Sequence, residues 1–78
     1  MLQNTVTDLL TQAIANADIS VQMEGNHCHV HIVSEAFEGL RKLKRQQMVY
    51  GALNELIASG EVHAVHMSLF TPQESAQS

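Results

Sequence analysis

The sequence is short of several residue types, and each shortage excludes a class of protein. One cysteine among 78 residues allows no internal disulfide, so nothing in the chain requires an oxidising compartment and we expect a cytoplasmic protein. A single proline and four glycines exclude collagen-like and glycine- or proline-rich disordered chains. No apolar run reaches the roughly 20 residues of a membrane-spanning helix, and the N-terminal sequence lacks the basic segment of a signal peptide. The sequence therefore predicts one small domain with no membrane association.

Basic residues are few, and their placement is uneven. Eight acidic residues are spread along the chain, and the formal charge of −4 opposes indiscriminate binding to nucleic acid or to anionic membranes. The basic side chains all lie within one five-residue segment, as Arg41, Lys42, Lys44 and Arg45. The molecule is therefore expected to carry one short positive segment on a negative body.

Helical periodicity occupies two stretches of the chain. Apolar residues recur at three- and four-residue steps over about 3–16, which predicts an amphipathic helix. The same spacing returns between Leu43 and Ile57 and predicts a second, longer helix, which Gly60 ends in a left-handed conformation. A short irregular segment anchored by Phe37 precedes this second helix.

Strand periodicity occupies three other stretches. Apolar and polar residues alternate over 18–24 and 27–32, and a tight-turn signal at Gly25-Asn26 joins these stretches into a hairpin. The alternation recurs over 64–69 and stops at Thr71-Pro72. The element order is therefore α-β-β-α-β.

This order predicts an α/β fold with a three-stranded mixed sheet, because a strand, helix, strand unit almost always makes a right-handed crossover between parallel strands. Two helices cover one face of such a sheet and leave the other face open. We expect one domain over 1–72 and a polar C-terminal tail over 73–78. By strand parity, the open face carries four of the five histidines, namely His27, His29, His31 and His66.

Four segments in order along the chain resemble the BolA family, and within it the bacterial IbaG (YrbA) branch. They read VSEAFEG from Val33, KRQQMVY from Lys44, VHA from Val62 and TP from Thr71. The resemblance covers nearly the whole chain and implies a class II KH-like fold. It also implies a non-enzymatic heterodimer partner of monothiol glutaredoxin, which shares a [2Fe-2S] cluster in iron-sulfur trafficking or in iron or stress regulation. Glutathione is then supplied through the glutaredoxin.

The resemblance also implies cluster ligands. The histidine before alanine at the start of the last strand matches His63, and the second family ligand, after the hairpin turn, is best matched by His27. Two positions depart from the family pattern. Cys28 stands where an aromatic residue is common and is an alternative ligand, while the segment after Glu74 lacks the tryptophan that often follows, which reduces the expected C-terminal contact surface.

Ligand chemistry agrees with a shared cluster. An iron-sulfur cluster usually takes four thiolate or imidazole ligands, and this chain has one thiol. It can therefore contribute one or two ligands while a partner supplies the rest. Cys28 itself occupies one of the apolar positions that alternate along its strand, where a cysteine is more often a small buried hydrophobic residue. A homodimer is the alternative assembly for the chain alone.

The other strand histidines support a different hypothesis. His29 and His31 lie two residues apart on one strand, roughly 6.5 to 7 Å apart, and can close on one metal ion. With His66 from a neighbouring strand they suggest a surface site for zinc, copper or nickel. The alternative is a solvated strand face. Protonating all five histidines would change the formal charge from −4 to +1, so an acid-sensing role is a further hypothesis.

The basic segment lies at the start of the second helix, where the helix dipole favours anions. Its ligand is expected to be an acidic partner surface, the carboxylates of glutathione or, as the alternative, nucleic-acid phosphate. Nucleic acid is the weaker expectation, because Gly39 gives one glycine where the GxxG loop has two, and no aromatic residue is assigned to the open face.

We expect no enzyme, because the sequence contains no catalytic motif. The histidines next to Cys28 in the strand point to the sheet face opposite to that of the thiol, so they cannot form a Cys-His pair with it.

Overall fold

The computed structural model, which describes residues 2–77, contains the predicted α-β-β-α-β series, with its second helix divided in two and a further helix after the last strand. The elements are α1 (Leu2–Ala13), β1 (Ala17–Glu24), β2 (His27–Ser34), a 3-10 turn (Glu35–Phe37), α2 (Lys42–Ala52), α3 (Asn54–Ser59), β3 (Ala64–Phe70) and α4 (Pro72–Gln77). Within the described range, none of the helices has the length and apolar character needed to span a membrane.

The sheet has the predicted mixed topology. Its strand order is β1-β2-β3, with β1 antiparallel to β2 and β2 parallel to β3. The hairpin turns at Gly25, whose φ of 64° is a left-handed conformation that glycine adopts without steric cost. The segment between β2 and β3 contains α2 and α3 and makes the crossover that parallel strands require.

Helices cover one face of the sheet, as predicted. Leu10 and Ile14 of the first helical region, Phe37 and Val49 are all fully buried or nearly so. Alternate residues of β2 are buried, whereas the histidines between them are exposed. The buried hydrophobic residues are Val6, Leu10, Ile14, Val21, Cys28, Val30, Ile32, Phe37, Val49, Leu53, Leu56 and Val62. One core between the helices and one sheet face therefore leaves the histidine-bearing face open.

The predicted long helix is interrupted. Leu53 has φ −102° and ψ 9°, which separates α2 from α3, although Leu53 is itself fully buried. Its N–H still donates to the Val49 carbonyl at 3.1 Å, and its carbonyl accepts from Ile57 at 3.0 Å. Gly60 ends the second piece with φ 84°, as predicted.

Two other boundaries differ from the prediction. The first helix ends at Ala13 rather than near 16, and Asn16 has a positive φ of 51°, a conformation that asparagine tolerates better than most residues. The predicted tail over 73–78 is helical through Gln77, and Ser78 lies outside the described residues. The class II KH-like assignment stays a prediction.

A capping box explains the helix in the predicted tail. The Glu74 N–H donates to the Thr71 hydroxyl at 3.1 Å, and the Thr71 N–H donates to the Glu74 carboxylate at 2.9 Å. These reciprocal bonds satisfy backbone donors that a helix start leaves unpaired. Pro72 takes the first helical position, where its missing N–H costs nothing.

Candidate functional site

The hairpin turn and the start of β3 are joined by a backbone hydrogen bond. The His63 N–H donates to the Asn26 carbonyl at 2.7 Å. His63 itself precedes β3 and is exposed. This bond fixes the backbone of His63 beside the turn, so its imidazole lies at the end of the sheet where β2 begins.

His27 lies at the same end of the sheet. It is the first residue of β2, and its Cα partner across the parallel ladder is Ala64, the residue after His63. Its side chain is exposed as well. Neighbouring strands lie about 4.8 Å apart, so the sheet brings the backbones of the two predicted histidine ligands together. Each exposed imidazole can offer one nitrogen to a metal in its neutral form.

Cys28 faces the opposite way. Its side chain is fully buried in the core cluster, and burial raises the pKa of its thiol. Metal binding requires the thiolate, which this environment disfavours. The structure therefore places Cys28 away from the surface that carries His27.

On the open face, the ring of His66 contacts the rings of two other histidines. Its Nε2 lies 3.4 Å from Nδ1 of His27, and the centroids of these two rings are 5.6 Å apart. The His66 ring also stacks on His29, its direct cross-strand partner, at 4.6 Å between centroids and 14° between planes. A cavity of about 370 Å³ on this face is lined in part by His29, His31 and His66.

His31, the third histidine of the hypothesised surface metal site, makes a different ring contact. The ring of His31 instead lies against Phe70, with centroids 5.6 Å apart and planes inclined by 49°. Phe70 therefore contacts a histidine of the open face, to which the sequence pattern assigns no aromatic residue. Across residues 2–77, no three metal-ligating side chains are grouped so as to hold one ion.

The basic segment divides into exposed and internal cations. Arg41, Lys42 and Lys44 are exposed at the start of α2, whose first turn has no acidic residue. The side chain of Arg45 is 11% exposed and is used within the fold. It donates to the carbonyls of Leu40 at 2.9 Å and Leu69 at 3.2 Å. Three of the four predicted contact residues thus remain available to a partner.

Glu74 completes the internal partners of Arg45. The guanidinium makes a two-pronged pair with the Glu74 carboxylate, at 2.6 and 3.2 Å. The hydrogen bond from Arg45, followed by the backbone hydrogen bond from Thr71, lowers the pKa of Glu74 to about 2. Sequence reasoning missed this clasp between α2, β3 and α4, although the T-x-x-E spacing of a capping box was present.

Comparisons with known proteins cover nearly the whole chain. The family model described as BolA-like protein matches residues 4–74. The acid stress protein IbaG of Escherichia coli K12 is 38% identical over 77 residues, which is 99% of this chain and 92% of that protein.

Solved structures of BolA proteins are also similar to this chain. BolA1 from Arabidopsis thaliana superposes with a TM-score of 0.83 at 26% identity, covering 92% of this chain and 93% of that one. The BolA domain of SufE1 from Arabidopsis thaliana gives a TM-score of 0.85 at 25% identity, covering 94% of both chains. The predicted resemblance and the predicted mixed α/β fold are confirmed.

Proposed function

Because this chain belongs to the BolA-like family, we propose that it is a non-enzymatic partner of monothiol glutaredoxin. In the proposed heterodimer the two proteins share a [2Fe-2S] cluster, with glutathione supplied through the glutaredoxin. The role is iron-sulfur trafficking or iron or stress regulation in the cytoplasm. The name of the similar Escherichia coli protein, an acid stress protein, supports a stress-related setting.

The observation that carries the proposal is the placement of His63 beside His27. The 2.7 Å bond from the His63 N–H to Asn26 and the pairing of His27 with Ala64 hold both residues at one end of the sheet. Both side chains are exposed, so a partner can approach them. Two imidazoles fit part of the ligand set of a cluster and leave the remaining positions to a partner's thiolates.

His27 is a better second ligand than Cys28 in this proposal. The imidazole of His27 is already on the surface and binds metal in its neutral form. The thiol of Cys28 would have to move out of the core and lose its proton before it could bind. The buried position of Cys28 therefore supports a ligand pair of His63 and His27.

The exposed cations at the start of α2 are proposed as the docking contacts. Arg41, Lys42 and Lys44 face solvent on a helix end whose dipole already favours negative groups. An acidic surface of the glutaredoxin or the carboxylates of its glutathione would be attracted to them. Such contacts mainly raise the association rate and weaken with salt.

The proposal is tested by anaerobic cluster reconstitution of a monothiol glutaredoxin and glutathione, with and without this protein. We expect a new visible circular dichroism spectrum that co-elutes with a heterodimer on sizing chromatography. His63→Ala should weaken or alter that spectrum, and His31→Ala, which removes an exposed histidine elsewhere on the sheet, should not. Absence of both the spectral change and the co-elution would reject the partnership.

Nucleic-acid binding is the second candidate function, and it rests on the same three exposed cations. It predicts an affinity for DNA that falls steeply with salt, because phosphate contacts release counterions. Arg41→Glu together with Lys44→Glu should abolish it. Absence of DNA binding at low salt would reject this candidate, and binding that both substitutions leave unchanged would reject these cations as its contacts.

A further inference from the structure

The face of the sheet that the helices leave open carries two imidazole nitrogens within hydrogen-bond distance of each other. Nδ1 of His27 and Nε2 of His66 are 3.4 Å apart, although the two residues are 39 positions apart in sequence. Both side chains are exposed. We propose that these two nitrogens form a surface site for one Zn²⁺ ion, which shares His27 with the proposed cluster site but uses His66 in place of His63.

The distance between the two nitrogens matches the distance between two ligand atoms of a tetrahedral zinc ion. Zinc-to-imidazole bonds are about 2.0–2.1 Å long, so two such ligands at the tetrahedral angle lie about 3.3–3.4 Å apart. Neighbouring ligands of a square-planar ion with bonds of this length would lie about 2.9 Å apart. The observed 3.4 Å therefore fits Zn²⁺ with no change in the separation of the two nitrogens.

The hydrogen bond between the rings does not prevent binding. In the neutral pair, one of the two facing nitrogens carries the shared hydrogen and the other accepts it. Moving that hydrogen through solvent to the other nitrogen of its own ring leaves two lone pairs facing the ion. Zn²⁺ thus replaces one hydrogen atom between the rings, with no net loss of protons and no change of oxidation state.

The neighbouring residues favour a cation at this position. Glu24 is the direct cross-strand partner of His27, and both are exposed, so its negative charge lies close to the site. His29 stacks on the ring of His66 at 4.6 Å and restricts its rotation, which keeps Nε2 in place. With two protein ligands, water would fill the remaining two tetrahedral positions of the ion.

This site does not depend on the proposed partnership with glutaredoxin. The two sites share His27, but His63 belongs to the cluster site alone and His66 to the zinc site alone. Single substitutions therefore separate them. His63→Ala is expected to impair the shared cluster and to leave zinc binding unchanged, whereas His66→Ala is expected to do the reverse.

The test is calorimetric titration of the full chain, without an affinity tag, with ZnCl₂ at neutral pH. We expect one ion per chain and an affinity at least about tenfold lower in His66→Ala, since even the loss of an outer hydrogen-bond partner of a metal ligand costs 10- to 100-fold. His27→Ala should lose as much. The matched control is His31→Ala, which removes another exposed histidine of β2 and should change the affinity by less than about twofold.

Cobalt reports the geometry of the same site. Co²⁺ titrated into the protein should give the strong visible absorption of a tetrahedral ion, and His66→Ala should remove it. The inference is overturned if wild-type protein binds no Zn²⁺, if His66→Ala binds it as tightly as wild type, or if His31→Ala loses as much affinity. Loss of the shared cluster in His63→Ala with normal zinc binding would leave this inference standing.

Discussion

At the scale of single residues, parity along β2 determines which side chains can do chemistry. His27, His29 and His31 are exposed, while Cys28, Val30 and Ile32 between them are buried. The sequence pattern was sufficient to predict this division, because side chains alternate between the two faces of a strand. The contact between His27 and His66 was not predictable in the same way. It depends on the register of two parallel strands, which a long connection containing two helices does not fix.

Cys28 gives a prediction that separates packing from ligation. Cys28→Ser places a hydroxyl in the apolar core and should lower the free energy of unfolding by about 1–3 kcal/mol, because its polar group is desolvated. Cys28→Ala avoids that penalty, so it should be less destabilising and should keep the shared cluster spectrum with glutaredoxin. Urea unfolding and visible circular dichroism measure the two effects. A folded Cys28→Ala protein that has lost the cluster would identify Cys28 as a ligand.

At the scale of elements, the helix α4 is held by Glu74. Its carboxylate accepts from Arg45 and from the Thr71 N–H, and these bonds lower its pKa from 4.5 to about 2. Between these values the unfolded chain binds the proton and the folded chain does not. The stabilisation is therefore complete above about pH 4.5 and is lost as the pH falls towards about 2.

Glu74→Gln should remove this pH dependence. The variant is expected to be less stable than wild type at pH 7 and to lose less stability between pH 4.5 and 2, since its amide does not titrate. The measurement is urea unfolding at a series of pH values, with Glu55→Gln in α3 as the matched control. An unchanged slope in Glu74→Gln would contradict the assignment of the low pKa to the clasp with Arg45.

Sequence patterns predicted the elements better than their ends. Gly25-Asn26 and Gly60 mark a turn and a helix end by backbone conformation, and both were predicted correctly. The interruption at Leu53 was missed because apolar spacing continues across it, with Val49, Leu53 and Leu56 all buried. Periodicity detects which face is buried and does not detect a local change in ψ. The helix α4 was missed for another reason, since its polar composition concealed the capping box at Thr71.

At the scale of the whole molecule, one core must stabilise the domain. Phe37 is the largest of the fully buried side chains, and the guanidinium carbon of Arg45 lies 5.7 Å from its ring centroid. Phe37→Ala should cost about 3–5 kcal/mol, a large share of the roughly 5–15 kcal/mol that stabilises a typical domain. Chemical denaturation should show a much lower midpoint. Tyr50→Ala, at a side chain that is 46% exposed, should change stability by less than about 0.5 kcal/mol. Similar losses in both variants would contradict this view of the core.

In the molecule as a whole, the side chains proposed for ligation and docking lie outside that core. The predicted ligands His63 and His27 and the three exposed cations at the start of α2 lie on the surface. The thiol of Cys28 is buried in the core, and Arg45 makes its contacts within the fold. This division agrees with the proposed role as an interaction partner, in which the ligands are presented on the surface. The core can therefore remain intact when the surface ligands are changed.

The most direct test of the central claim asks whether an imidazole of this chain binds the shared cluster. The chain is labelled with ¹⁵N at histidine, combined with unlabelled glutaredoxin and glutathione, reconstituted, reduced to the paramagnetic state and measured by pulsed electron paramagnetic resonance. We predict a strong ¹⁵N coupling from a directly bound histidine, which His63→Ala abolishes or alters. A shared cluster with no ¹⁵N coupling, or with the same coupling in His63→Ala, would contradict ligation by His63.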